Sequence, residues 1–112
     1  MNYRQLDVYQ FSKSVTIDAY QWLKEKRLES YYQNQLNRAA LSIMLNLAEG
    51  SSRFSKRDRR RFYIIARGSA FECIAILDLL KEFYPKSNKL NDFELRFTRI
   101  SAMIFSMIKK LD

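Results

Sequence analysis

Residues 55–85 read SKRDRRRFYIIARGSAFECIAILDLLKEFYP, and this one stretch decides the fold. Phe62, Ile65, Ala66, Ser69, Cys73, Ile76, Leu77, Leu80 and Phe83 recur at three- and four-residue steps. That spacing puts them along one side of a helix, and a strand would need a period of two. Ser55 stands where an N-cap accepts a backbone N–H, with Asp58 in the place of the reciprocal capping residue. Pro85 cannot continue a helix. The stretch therefore predicts a long helix from the SKRD segment to about Tyr84.

The same period appears on both sides of it. Val8, Phe11, Val15, Ala19, Trp22 and Leu23 predict a first helix over about Asp7 to Lys26, with Asp7 as N-cap. Leu36, Ala39, Ala40, Ile43, Leu47 and Ala48 predict a second over about Tyr32 to Glu49. Gly50 follows as a stop in the left-handed C′ conformation. Leu95, Phe97, Ile100, Met103, Ile104, Met107, Ile108 and Leu111 predict a fourth over about Asp92 to Leu111, after a PKSNKLN loop. Four amphipathic helices with short connections close most simply as an all-α, antiparallel up-and-down four-helix bundle. Neither a linker nor a repeat divides the chain, so residues 1–112 are expected to form one domain.

Composition narrows the function classes. The chain has two Gly and one Pro, too few for an all-β fold or for a phosphate-binding glycine loop. It has no His, which removes the commonest general base and metal ligand and the Glu-x-x-His pairs of di-metal bundles. Its one cysteine, Cys73, lies on the predicted core side, where a free thiol behaves as a small hydrophobe. No apolar run of about 18 residues occurs. These features predict a cytoplasmic, non-enzymatic protein with no metal, cofactor, membrane or small-molecule substrate.

What remains is charge. Lys and Arg number 20 against 12 Asp and Glu, a net charge of +8. Six cations and one acid fall between Arg53 and Arg61, at a helix start, where each cation costs roughly 0.3–1 kcal/mol if nothing compensates it. On a helical projection Lys56, Arg57, Arg60, Arg61 and Arg67 point away from the core stripe. A solvated face is one reading. A polyanion site is the other, favoured because arginine, whose planar fork suits phosphate, predominates. Arg53, Lys56, Arg57, Arg60, Arg61 and Arg67 are then the candidate contacts to RNA or other nucleic acid. Roughly four to six phosphate contacts would give a log–log salt slope of about −3 to −5. Tyr63, read on the same side, either stacks on an unpaired base or packs over arginine stems. An acidic protein partner, such as a polymerase or reverse transcriptase, would fit the same patch.

Ile64, Phe71 and Ile74 also project outward and form a candidate interface between copies of the chain. Glu49, near Asn46, is read as pairing with Arg38 or Arg53 and fixing the turn at Gly50, since a catalytic carboxylate would lack a partner base. Glu72 is read as meeting Arg38 in a partly buried pair that sets helix register.

The segment RAALSIMLNLAEGSSR, Arg38 to Arg53, resembles the signature of the four-helix-bundle proteins encoded in intervening sequences of bacterial large-subunit (23S) ribosomal RNA genes. The matching residues are Arg38, Ala39, Ala40, Ser42, Ile43, Asn46, Ala48, Glu49 and Gly50. Phe62, Ala66, Gly68, Ser69 and Glu72 resemble the family's downstream pattern, and LDVYQ near the N-terminus its L-x-V-W-Q. Met44 and Leu45 stand where many members have Pro-Ser, and Leu47 replaces the usual Ile. The resemblance implies a four-helix bundle assembling as a homopentamer. The accessory variability protein of diversity-generating retroelements is similar; that basic pentamer binds nucleic acid and a reverse transcriptase.

Overall fold

The computed structural model describes residues 2–111. After a single 3-10 turn at Tyr3–Gln5 come four α-helices: α1 (Asp7–Lys26), α2 (Ser30–Ser51), α3 (Lys56–Phe83) and α4 (Asn88–Lys110), with no strand among the described residues. They pack as a rod of 44 × 20 × 20 Å. α3 lies between α2 and α4, and α1 packs on the other side of that same pair, so each helix touches two others.

The core is what the periodicity predicts, with corrections at its margins. Val15, Leu23, Leu36, Ile43, Leu47, Ala66, Cys73, Leu77, Leu80, Phe97, Ile100 and Ile104 are all buried. Ile65 and Phe83 are instead exposed: Ile65 lines a surface groove with Arg57, Arg61 and Ile64, and Phe83, at the end of α3, meets only the Tyr32 ring, 5.6 Å away, among the aromatic contacts of the described residues. Leu95 is 71% exposed: Phe93 and Phe97 take the buried positions, and each is two residues away, about 200° around the helix. Specific polar ties cross the seams. Arg96 reaches Asp18 at 2.5 Å, joining α4 to α1, and Lys81 meets Glu94 at 2.9 Å, joining α3 to α4. Ser42 and Ser69 bond at 2.7 Å between α2 and α3, with the Asn46 amide donating to the Ser42 carbonyl at 2.9 Å.

The helix ends carry further corrections. Asp7 is the first residue of α1, not its cap; Leu6 caps without a side-chain bond, and the Asp7 carboxylate sits in the first turn, where negative charge is favoured. α1 ends on Arg27 at φ 53°, a left-handed conformation taken by a residue with a Cβ. α4 begins at Asn88 rather than near Asp92, because Ser87 caps it, accepting the Leu90 N–H at 3.4 Å. Ser55 caps α3 as predicted, accepting the Asp58 N–H at 3.0 Å.

Gly50 is the largest correction. It is helical, without a positive φ, and α2 runs through it to Ser51. The glycine is needed for space. A Cβ there would lie 2.7 Å from Cε1 and 2.9 Å from Cδ1 of the Tyr63 ring.

Candidate nucleic-acid interface

The α3 cap fixes the site. Once Ser55 starts the helix, residues 57, 60, 61 and 64 fall on adjoining positions of one outward face. Lys56, Arg57, Arg60 and Arg61 are all exposed. Arg57, Arg60 and Arg61 rim an open groove of about 560 Å³ whose floor includes Ile64 and Ile65. The single acid in it, Asp58, has its backbone N–H in the cap. No carboxylate of the described residues pairs with Lys56, Arg57 or Arg61. The Arg61 guanidinium lies 4.7 Å from the Phe62 ring centroid, which steadies the cation without neutralising it.

The other candidates divide. Arg53 forms an ion pair with Glu49 and also lies over the Phe62 ring, 4.9 Å from its centroid. Of the two partners expected for Glu49, Arg38 and Arg53, the structure pairs it with Arg53. Arg59 turns inward and donates from Nε to the Arg53 carbonyl at 2.6 Å, tying the α2–α3 turn to the first turn of α3. Arg67 is partly buried, its guanidinium 4.9 Å from Phe71 and 4.7 Å from Phe105 of α4. It braces the α3–α4 seam more than it extends the patch.

Tyr63 does not lie on the basic side. It is 5% exposed, its ring tucked against Gly50 and its hydroxyl 3.0 Å from Ser51 Oγ, so it has no face for a base. The aromatic beside the patch is Phe54, 100% exposed in the turn between Arg53 and Ser55. The periodicity could not reveal it, because it belongs to no helix; its one sequence signal is a large apolar residue inside a polar turn.

Ile64 and Phe71 are exposed at 46% and 48%, as the interface reading requires. Ile74 is not: it is partly buried and packed on the core. It lies seven residues from both Arg67 and Lys81, whose side chains meet Phe105 and Glu94, so it sits on the seam with α4. Gly68, between Ile64 and Phe71, has open space where a Cβ would go. Arg38 and Glu72 are both exposed on separate helices and form no ion pair, so the predicted register pair is absent. Cys73 is buried, and burial together with the Glu72 charge holds its thiol far above the ordinary range, in a form unsuited to nucleophilic attack.

The sequence model of the 23S rRNA-intervening sequence protein family matches residues 4–106. The chain belongs to that family. Its resemblance in the α2 motif thus extends across all four helices. The fold is similar to that of a solved protein of unknown function from the S23 ribosomal protein family of Bacteroides thetaiotaomicron VPI-5482, with a TM-score of 0.82 and 24% identity over 91% of this chain and 98% of that one. No curated protein matches the chain. Among the described residues no helix is long and apolar enough to cross a membrane. The family's Asn46, Glu49 and Gly50 have structural work in this chain: an intrahelical bond, an ion pair with Arg53, and clearance for Tyr63.

Proposed function

We propose that this chain is a non-enzymatic scaffold that assembles with copies of itself, as a pentamer, and binds RNA through the exposed face at the start of α3. Its helices alternate up and down, which the short connections and the pairing of each helix with two neighbours favour. The observation that carries the reading is the unneutralised set Lys56, Arg57 and Arg61 on one outward face. Contacts go mainly to phosphate, so affinity depends little on sequence. Phe54 supplies the stacking surface for an unpaired base.

Self-association is supported by the outer face of α3. Ile64 and Phe71 are exposed there, and Gly68 between them costs roughly 1 kcal/mol relative to Ala in a helix interior with no steric reason inside its own chain. A second copy packed on that face would supply the reason. Phe71→Glu is expected to lower the mass measured by light scattering while leaving helicity intact; an unchanged mass rejects this interface.

The functional test is sequencing of RNA that copurifies with the protein, beside an Arg57→Ala/Arg60→Ala/Arg61→Ala variant. Enrichment lost in the variant supports the reading. A bound acidic protein that survives nuclease treatment, with no RNA enriched, replaces RNA with a protein partner.

A further inference from the structure

A second positively charged cleft lies at the opposite end of α3, about 40 Å from Lys56 at 1.5 Å per residue. It is an open pocket of about 540 Å³ lined by Trp22, Lys26, Tyr84, Pro85, Lys86 and Lys89 among others. Two segments distant in sequence build it: the last turn of α1, and residues 84–89, which run from the α3–α4 connection into the first turn of α4. Three lysines line it and no acid does. Lys89 is shared with Asp92 at 3.9 Å and with the Phe93 ring at 5.1 Å. Lys26 and Lys86 have no ion-pair partner among the described residues. The apolar part of the wall is a tryptophan, a tyrosine and a proline, and Trp22 makes an edge contact with the buried Phe93, ring centroids 6.0 Å apart.

Flat apolar surface beside unpaired ammonium groups selects a ligand with a flat aromatic part and an anionic part. The volume is within the range that encloses a small ligand. We propose that this cleft binds a single nucleotide, its base against Trp22 and Tyr84 and its phosphate on Lys26 and Lys86. This site is separate from the α3 patch and does not depend on it. The lysines act as compact point charges, so they fix the phosphate without reading the base, and stacking tolerates any base. The ligand is either a free nucleotide or the 5′-phosphorylated end of a strand.

Trp22 is the only tryptophan of the chain, so its emission reports on this cleft directly. The full-length protein is titrated with adenosine monophosphate, with inorganic phosphate, and with a short RNA carrying or lacking a 5′-phosphate, and emission is corrected for absorbance. The nucleotide is expected to change the emission saturably, and inorganic phosphate at the same concentrations to leave it unchanged. Lys26→Ala/Lys86→Ala is expected to weaken the nucleotide by about tenfold or more, and the exposed single change Lys86→Glu to do the same with unaltered circular dichroism. The Arg57→Ala/Arg60→Ala/Arg61→Ala variant is expected to respond as the parent does. Tighter binding of the 5′-phosphorylated RNA than of both the mononucleotide and the unphosphorylated RNA identifies a strand end as ligand; equal or weaker binding identifies a free nucleotide. No emission change with any nucleotide or RNA, the same change with inorganic phosphate, or a response lost in the α3 variant and kept in both lysine variants overturns the proposal.

Discussion

Replacing Gly50 with Ala should destabilise the protein, although the same change in a free helix would stabilise it. Gly costs about 1 kcal/mol relative to Ala inside a helix, and Gly50 is inside α2. Against that gain, the new methyl would lie 2.7 Å and 2.9 Å from two Tyr63 ring carbons and 3.1 Å from Phe62 Cβ. The Tyr63 ring cannot swing away cheaply, because it is 5% exposed and its hydroxyl is held 3.0 Å from Ser51 Oγ. Overpacking of a fixed, buried ring costs about 2–3 kcal/mol. The balance is a loss of about 1–2 kcal/mol, or about 4–8 °C in the thermal midpoint for a chain of this size. Thermal and urea unfolding at fixed protein concentration measure it. In a Tyr63→Ala background the two ring contacts are absent and only the 3.1 Å approach to Phe62 Cβ remains, so Gly50→Ala should then cease to destabilise and gain up to about 1 kcal/mol. The two changes are therefore coupled by up to about 2–3 kcal/mol. A raised midpoint for Gly50→Ala in the parent chain, or no coupling in the cycle, would refute the close-approach account of this glycine.

Gly68→Ala should act in the opposite direction on the isolated chain, raising stability by about 1 kcal/mol because nothing in the chain meets the new methyl. It should also reduce the assembled mass; a parent chain that is monomeric at micromolar concentration leaves no assembly to weaken and contradicts the self-association. Arg27→Gly should stabilise by about 0.5–1 kcal/mol, since φ 53° costs a Cβ-bearing residue more than it costs glycine; no gain in urea midpoint argues against strain there. Cys73 predicts alkaline sensitivity. Its folded thiol is held above the ordinary value of 9.0, so as pH rises past 9 the unfolded chain releases a proton that the folded chain keeps, and stability falls. This one group should remove on the order of 1 kcal/mol between pH 7 and 10, and Cys73→Ala should lose less stability than the parent over that interval; parallel profiles refute the assignment. Phe54→Ala should weaken an unpaired RNA by about 1–3 kcal/mol and a duplex far less; equal loss on both removes stacking from the account.

Much of this fold is legible in the sequence because α3 is long. A 28-residue helix repeats its pattern often enough that single exceptions such as Ile65 do not obscure it, and its cap and its proline are local signals. The start of α4 is hidden because its first turn holds one buried apolar residue, Leu90, within a polar run that reads as loop. Tyr63 shows what periodicity cannot supply. Its burial depends on a glycine thirteen residues earlier making room, and neither residue signals the other. The same dependence on neighbours separates Ile74, drawn into the α4 seam, from Ile64, left outside. The basic patch is legible as a run of letters, yet what separates paired Arg53, inward Arg59 and ring-bound Arg67 from the open Lys56, Arg57 and Arg61 is set by Glu49, the Arg53 carbonyl and Phe105. The Trp22 cleft joins the end of α1 to residues 84–89, and neither segment signals the other in the sequence.

Salt dependence of RNA binding tests the central claim most directly. With Lys56, Arg57 and Arg61 open, and Arg53 engaged by Glu49, roughly three to four phosphate contacts remain rather than six. Affinity for a labelled single-stranded RNA, followed by fluorescence anisotropy, should fall with a log–log slope of about −2 to −3, or roughly 15–60-fold between 50 and 200 mM salt. An affinity that does not change over that range, or one that the Arg57→Ala/Arg61→Ala variant retains in full, would contradict the account.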